Sequence, residues 1–264
     1  MISWGIMPDK ATLARWKQTI IDRRQNLQHQ GIKYLAFLAP NTTSIYPENL
    51  PNEILKAQKP TRLDSVMAIM NDEIMDLRPF LLQRKQIEAV YEISDTHWND
   101  VGAFAAYEAV TAKLVAWFPD IRPVQRSDLS THHPPRLREV ECMVGCWIAW
   151  EPKPTSNLLP TKTFDARCAD NNKAVLAPGS SATWHDWVWD ATECPSRRFI
   201  QDHRSLPKAL VFHDSYLMAL NGFLSQNFRE VRYVRARFDP SIVDLEKPDI
   251  VIEEVAERYL DQIF

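Results

Sequence analysis

Apolar residues recur at helical spacing near the start of the chain. Leu13, Trp16, Ile20 and Leu27 share one face and Gly31 offers a C-terminal stop, which predicts a helix from about Asp9 to Gln30. The pattern then changes. GIKYLAFLAP is a short, nearly continuous apolar run ending in Pro40-Asn41, as expected of a strand covered on both faces of a parallel sheet. A second helix is predicted over about Arg62 to Met75. IEAVYEI reads as another buried strand, closing on the polar string Ser94, Asp95, Thr96, His97, Trp98 and Asn99. VGAFAAYEAVTAKLVAWF follows as a strong helix, with Asn99 or Asp100 available as N-cap.

From Pro119 to about Pro207 prolines, cysteines, histidines and tryptophans crowd together and the periodicity is lost, so residues 119–207 read as an insertion or small subdomain within one domain spanning 1–264. Alternation resumes with the strand KALVFH and a helix from about Ser215 to Phe228. Then come the strand VRYVRARF, a short helix near Ser241 to Leu245, the strand PDIVIEEV and a terminal helix. Strands alternating with helices imply crossovers and a mostly parallel α/β sheet.

Composition narrows the classes of partner. The 264 residues carry 31 basic and 34 acidic side chains, a net charge of −3, which gives no basic field to steer a nucleic acid. No window reaches the roughly 20 apolar residues of a bilayer span, and the first residues lack the zones of a secretory signal. Cys142, Cys146, Cys168 and Cys194 lie in the second half near His132, His133, His185 and His203. That neighbourhood leaves a zinc site conceivable, but no paired CxxC occurs, and disulfides or buried thiols fit better. No cofactor is expected.

In an open parallel sheet, functional groups gather where the chain leaves the carboxyl ends of strands. Three polar clusters hold that place: Pro40-Asn41, the DTHWN string, and His213-Asp214-Ser215. In extended backbone Asp95 and His97 point to the same side, so the carboxylate can orient the imidazole. Ser215, at a strand-to-helix junction, is the candidate nucleophile, with the first N–H groups of the following helix available to a developing oxyanion. Each string also has a plain reading, since a serine at a helix start is commonly an N-cap.

The strings APNTTSIYPENLP, YEISDTHWNDVGAFAAYEAV, ALVFHDSYLMALNGFLSQNF and KPDIVIEEVAERYL together resemble the SGNH-type domain of the alginate O-acetyltransferase branch of the SGNH hydrolases. The resemblance covers most of the chain outside the tryptophan-rich stretch. It implies a three-layer, flavodoxin-like, mostly parallel sheet in circularly permuted order. It also implies Ser215, His97 and Asp95 as a catalytic triad, an acetyl donor and a polysaccharide acceptor as partners, and a periplasmic or cell-envelope location. By the same analogy Asn41 stands where an oxyanion-hole Asn would, although a turn residue reads equally well there. The family often has Lys where this chain has Thr42, and the tryptophan-rich stretch departs from it.

Substrate contacts are expected from Trp98 and Tyr216, and from Trp187 and Trp189. The latter two share a strand face if that segment is extended, and with Trp147, Trp150 and Trp184 they suit either sugar stacking or core packing. Arg258 is expected to pair with Glu254 or a loop carboxylate, with recognition of an anionic substrate as the alternative. The leading reading is a carbohydrate O-acetyltransferase or acetyl esterase. The competing readings are a non-catalytic glycan-binding or assembly protein of a polysaccharide-modification complex, and a zinc hydrolase.

Overall fold

A computed structural model describes residues 8–53, 60–91, 96–132, 163–168, 175–176 and 196–262. Helix α1 (Lys10–His29) starts at Asp9, whose carboxylate accepts from the Thr12 N–H, and stops where Gly31 takes φ +76°, a conformation that suits a residue without Cβ. Strand β1 (Lys33–Ala39) follows, and after it the one-turn helix α2 (Thr42–Ile45). After the first residue of β1 every side chain of the strand is buried, since Tyr34, Ala36 and Leu38 face one layer of core while Leu35, Phe37 and Ala39 face the other.

Among the described residues seven strands form the main sheet. Besides β1 they are β2 (Met75–Asp76), β5 (Val175–Leu176), β6 (Ser196–Ile200), β7 (Lys208–Phe212), β8 (Glu230–Val234) and β9 (Ile250–Ala256), in the order β2-β1-β9-β7-β8-β6-β5. The five from β2 to β8 are parallel; β6 and β5 extend the edge antiparallel. Both of these edge strands come from the stretch that reads as an insertion. A separate antiparallel pair joins β3 (Leu129–His132) to β4 (Thr163–Cys168).

Two hydrophobic cores make the arrangement three-layered. One packs α1 and α3 (Arg62–Met70) on Tyr34, Leu38, Leu210, Phe212 and Val251. The other packs α5 (Asp100–Trp117) on Phe37, Val211, Tyr233 and Ile252. Helix α5 is buried along eleven of its positions, from Val101 to Leu114. A helix apolar on nearly all sides belongs inside a fold, and each fully buried large side chain there contributes roughly 1.5–3 kcal/mol. No helix of the described residues is long and apolar enough to cross a membrane.

Three expectations are corrected. The predicted helix 62–75 ends at Met70, and Met75–Asp76 instead supplies β2, ahead of α4 (Arg78–Lys85). IEAVYEI forms no described ladder. Tyr91 makes a single bridge to Trp98, while the Val90 N–H goes to the Tyr46 hydroxyl and the Val90 carbonyl accepts from the Asn99 N–H. Finally, the predicted helix 215–228 is broken into a 3-10 turn (Tyr216–Leu220), α6 (Asn221–Leu224) and another 3-10 turn (Ser225–Asn227). Here side chains take over backbone acceptors: Ser225, Gln226 and Asn227 donate to the carbonyls of Asn221, Gly222 and Leu224. The chain closes through α7 (Pro240–Glu246), β9 and a terminal 3-10 helix, Glu257–Gln262.

Candidate active site

Strands β1, β9 and β7 are neighbours and parallel, with Ala39 opposite Ala256 and Phe212 opposite Glu253. The loops carrying Asn41, Arg258 and Ser215 therefore leave the sheet on the same edge. The loop of His97 reaches that edge from the start of α5, where the Asn99 side chain accepts from the Gly102 N–H and donates to the Ala89 carbonyl.

His97 and Ser215, 118 residues apart, meet: Nε2 lies 2.8 Å from Oγ. With the ring protonated at Nδ1, the serine hydroxyl donates to Nε2, the arrangement in which imidazole can accept the proton of an attacking hydroxyl. Asp95 lies outside the described residues, as do Trp147, Trp150, Trp184, Trp187 and Trp189. Cys142, Cys146, Cys194, His133 and His185 also lie outside them. Among the described residues no group of three or more His, Cys, Asp or Glu is arranged to hold a metal.

Asn41 is half-buried at the carboxyl end of β1, where its N–H donates to Glu257 Oε2 at 2.7 Å. The next residue, Thr42, donates its hydroxyl to the Thr96 carbonyl at 3.1 Å, which brings the Asn41 loop against the His97 loop. Trp98 and Tyr216 are buried, their rings edge to face at 5.2 Å, and the indole N–H donates to the Tyr216 carbonyl at 2.9 Å. They form the floor beneath His97 and Ser215 instead of a surface open to substrate.

Two further expectations are revised by the geometry. The N–H of Tyr216, at the start of the turn after Ser215, donates to Asp214 Oδ1 at 2.9 Å. The first donor of that turn is therefore held by a carboxyl group and not turned toward an oxyanion. Among the described residues Arg258 makes no ion pair with a carboxylate: it donates to Thr96 Oγ1 at 3.0 Å and to the Tyr216 hydroxyl, and its guanidinium lies 4.9 Å from the centre of the Tyr216 ring.

Sequence reasoning missed the buried carboxyl groups behind the serine. Asp214 accepts from the N–H groups of Tyr216 and Ala256, and its own N–H donates to Glu254 Oε2 at 3.0 Å. Burial raises the pKa of both acids. Repulsion from Asp214 pushes Glu254 well above the usual carboxyl range, while the backbone donors on Asp214 favour its charged form. The consecutive glutamates of the VIEEVAERYL string were the available signal, since such a pair in a buried strand must face both layers.

The chain matches the model of the SGNH hydrolase-like domain of the acetyltransferase AlgX over residues 4–151, more than half its length. It belongs to that family. Among solved structures it is similar to Bacillus cereus PatB1 carrying a sulfonyl adduct, with TM-score 0.66 and 15% identity over 94% of this chain and 90% of that one. It is also similar to the O-acetyltransferase domain of Pseudomonas putida AlgJ (TM-score 0.50, 19% identity, 97% and 87%) and to Pseudomonas aeruginosa AlgX (0.50, 18%, 92% and 55%). These likenesses confirm the mostly parallel SGNH-type α/β fold. No curated protein sequence matches the chain.

Proposed function

We propose that this protein is an O-acyltransferase that moves an acetyl group to a polysaccharide hydroxyl through an acyl-enzyme on Ser215. The observation that carries the reading is the 2.8 Å contact between Ser215 Oγ and His97 Nε2. Ser215 Oγ attacks the donor's acyl carbonyl while its proton passes to Nε2. The tetrahedral intermediate then collapses, and the departing group takes that proton from the imidazolium. An acceptor hydroxyl next attacks the acyl-serine and gives its proton to His97, which returns it to Ser215 as the ester leaves. Asp95 is proposed to hold the imidazole and stabilise its charged form, and Asn41 to donate to the oxyanion.

Membership of the AlgX-type family, together with a fold shared with an AlgJ O-acetyltransferase domain, supports acetyl as the acyl group and a polysaccharide as acceptor. It equally supports a periplasmic or cell-envelope setting. The sulfonyl adduct on PatB1 fits the same chemistry, because sulfonyl electrophiles capture activated nucleophiles. Trp187 and Trp189 are proposed as stacking surfaces for the sugar.

The test is incubation with a chromogenic acetyl ester and with a sulfonyl fluoride, followed by mass-spectrometric mapping. An adduct on Ser215 that forms at least about 100-fold more slowly in His97→Ala is expected, with acetate release giving way to acetylated product once oligosaccharide acceptor is added. Acetate release unchanged by acceptor would make the protein an esterase. Absence of both adduct and turnover, with oligosaccharide binding that survives Ser215→Ala, would replace catalysis with glycan binding.

A further inference from the structure

The residue that follows the nucleophile grips the chain on both sides of His97. The Tyr216 hydroxyl donates to the carbonyl of Thr96, and the Tyr216 carbonyl accepts the indole N–H of Trp98 at 2.9 Å. Between those two attachments the His97 ring lies 4.7 Å from the Tyr216 ring, tilted by 47°. The direction of the hydroxyl is determined by Arg258. A guanidinium can only donate, so its bond to the phenol oxygen makes that oxygen an acceptor and leaves the phenol hydrogen for the Thr96 carbonyl. Arg258 also donates to Thr96 Oγ1 at 3.0 Å and stacks on the Tyr216 ring, so one cation from the end of β9 touches both the His97 loop and the Ser215 loop.

We infer that Tyr216 and Arg258 act as one positioning clamp, which holds the His97 imidazole in register with the Ser215 hydroxyl. The inference rests on the acyl-enzyme reading above. Neither residue touches the reacting atoms; both act through His97. Loss of the phenol hydroxyl removes the one bond that ties the Thr96 carbonyl to the residue after the nucleophile, leaving it to Thr42 and Arg258, and loss of the guanidinium lets the phenol turn its hydrogen elsewhere. Displacement of the base by an ångström is enough to cost about 100-fold in rate. Arginine is a permanent cation, and burial raises the Tyr216 hydroxyl above its ordinary range. The clamp therefore keeps its protonation across the range in which an imidazole titrates.

The closing experiment measures sulfonylation of Ser215 and acetyl-ester turnover in the parent, Tyr216→Phe, Arg258→Lys, Arg258→Ala and the Tyr216→Phe/Arg258→Ala double variant. Tyr216→Phe and Arg258→Ala are each expected to lose about 100-fold in kcat and in sulfonylation rate with KM little changed. The double variant should lose no more than the worse single, as parts of one unit do. Added guanidinium ion should restore rate to Arg258→Ala and not to Tyr216→Phe, and Arg258→Lys should stay slow, since an ammonium lacks the planar fork. Parent-like rates in Tyr216→Phe, additive losses, or full activity in Arg258→Lys would each overturn the clamp. Should Tyr216→Phe fail to fold, guanidinium rescue of Arg258→Ala decides, and no rescue of a folded Arg258→Ala refutes the inference. A parent that forms no Ser215 adduct would instead remove the acyl-enzyme reading, and the clamp with it.

Discussion

In the proposed acyl-enzyme mechanism Ser215 and His97 have different duties, so their removal is expected to fail differently. Ser215→Ala has no oxygen to carry the acyl group and should form neither adduct nor product. His97→Ala keeps the nucleophile and should retain a residual rate, about 100- to 10,000-fold below the parent, measurable by single-turnover acetylation. Asp214→Asn is a test of structure. Both carboxylate oxygens accept a backbone N–H, from Tyr216 and Ala256, whereas an amide offers one acceptor and faces the second N–H with a donor. A loss of about 1–3 kcal/mol in urea unfolding is expected, with the Ser215 loop loosened. The meeting of His97 and Ser215 was legible, because both stood in short polar strings after apolar runs. The roles of Arg258, Tyr216 and Glu254 were not, because their partners are set by the neighbouring register of β1, β9 and β7, which brings residue 258 beside residue 96.

At the level of elements, the site depends on how tightly the start of α5 packs against the turn before it. A Cβ placed on Gly102 would lie 2.2 Å from the Val90 carbonyl oxygen and 3.0 Å from Trp98 Cβ. Backbone on one side and a buried indole on the other leave little room to yield. Gly102→Ala is therefore expected to lose about 1–3 kcal/mol by urea unfolding despite alanine's higher helix propensity. It should also slow Ser215 sulfonylation, since Trp98 adjoins His97. Strands β1, β7 and β9 could be read in the sequence because burial on both faces leaves an unbroken apolar run. Strand β2 could not, being two residues long with no periodicity to detect. Residues 87–91 of the predicted strand make no ladder, which could not be read in the sequence because a buried Val90-Tyr91 looks the same whether its backbone is satisfied by a sheet or, as here, by Tyr46 and Asn99. Helix 215–228 was overextended because its apolar stripe is real, while the side chains that break it, Ser225 to Asn227, are polar groups that a stripe ignores.

For the molecule as a whole, two glutamates bend the dependence of stability on pH in opposite directions. Glu246, at the end of α7, receives Arg198 from β6, Arg232 from β8 and Lys208 from β7, so it ties three strands to one helix. Burial alone would raise its pKa, but those three cations prevail and lower it from 4.5 to about 2. A carboxyl group that ionises more readily in the fold stabilises fully above its unfolded value, and that contribution is lost as pH falls from about 4.5 to about 2. Glu254 has the reverse sign. Burial and the neighbouring Asp214 raise its pKa well above 4.5, so its contribution is whole below that value and is lost as pH rises through the raised one. Urea unfolding of the parent, Glu246→Gln and Glu254→Gln at a series of pH values separates the two. Glu246→Gln should be less stable than the parent at pH 6, with the gap closing on acidification below about pH 4.5. In Glu254→Gln the amide mimics the protonated acid, so the variant should gain on the parent as pH rises. A gap that stays constant with pH in the second variant would mean that Glu254 ionises in the fold as readily as in the unfolded chain, and that the floor beneath Ser215 tolerates two adjacent negative charges.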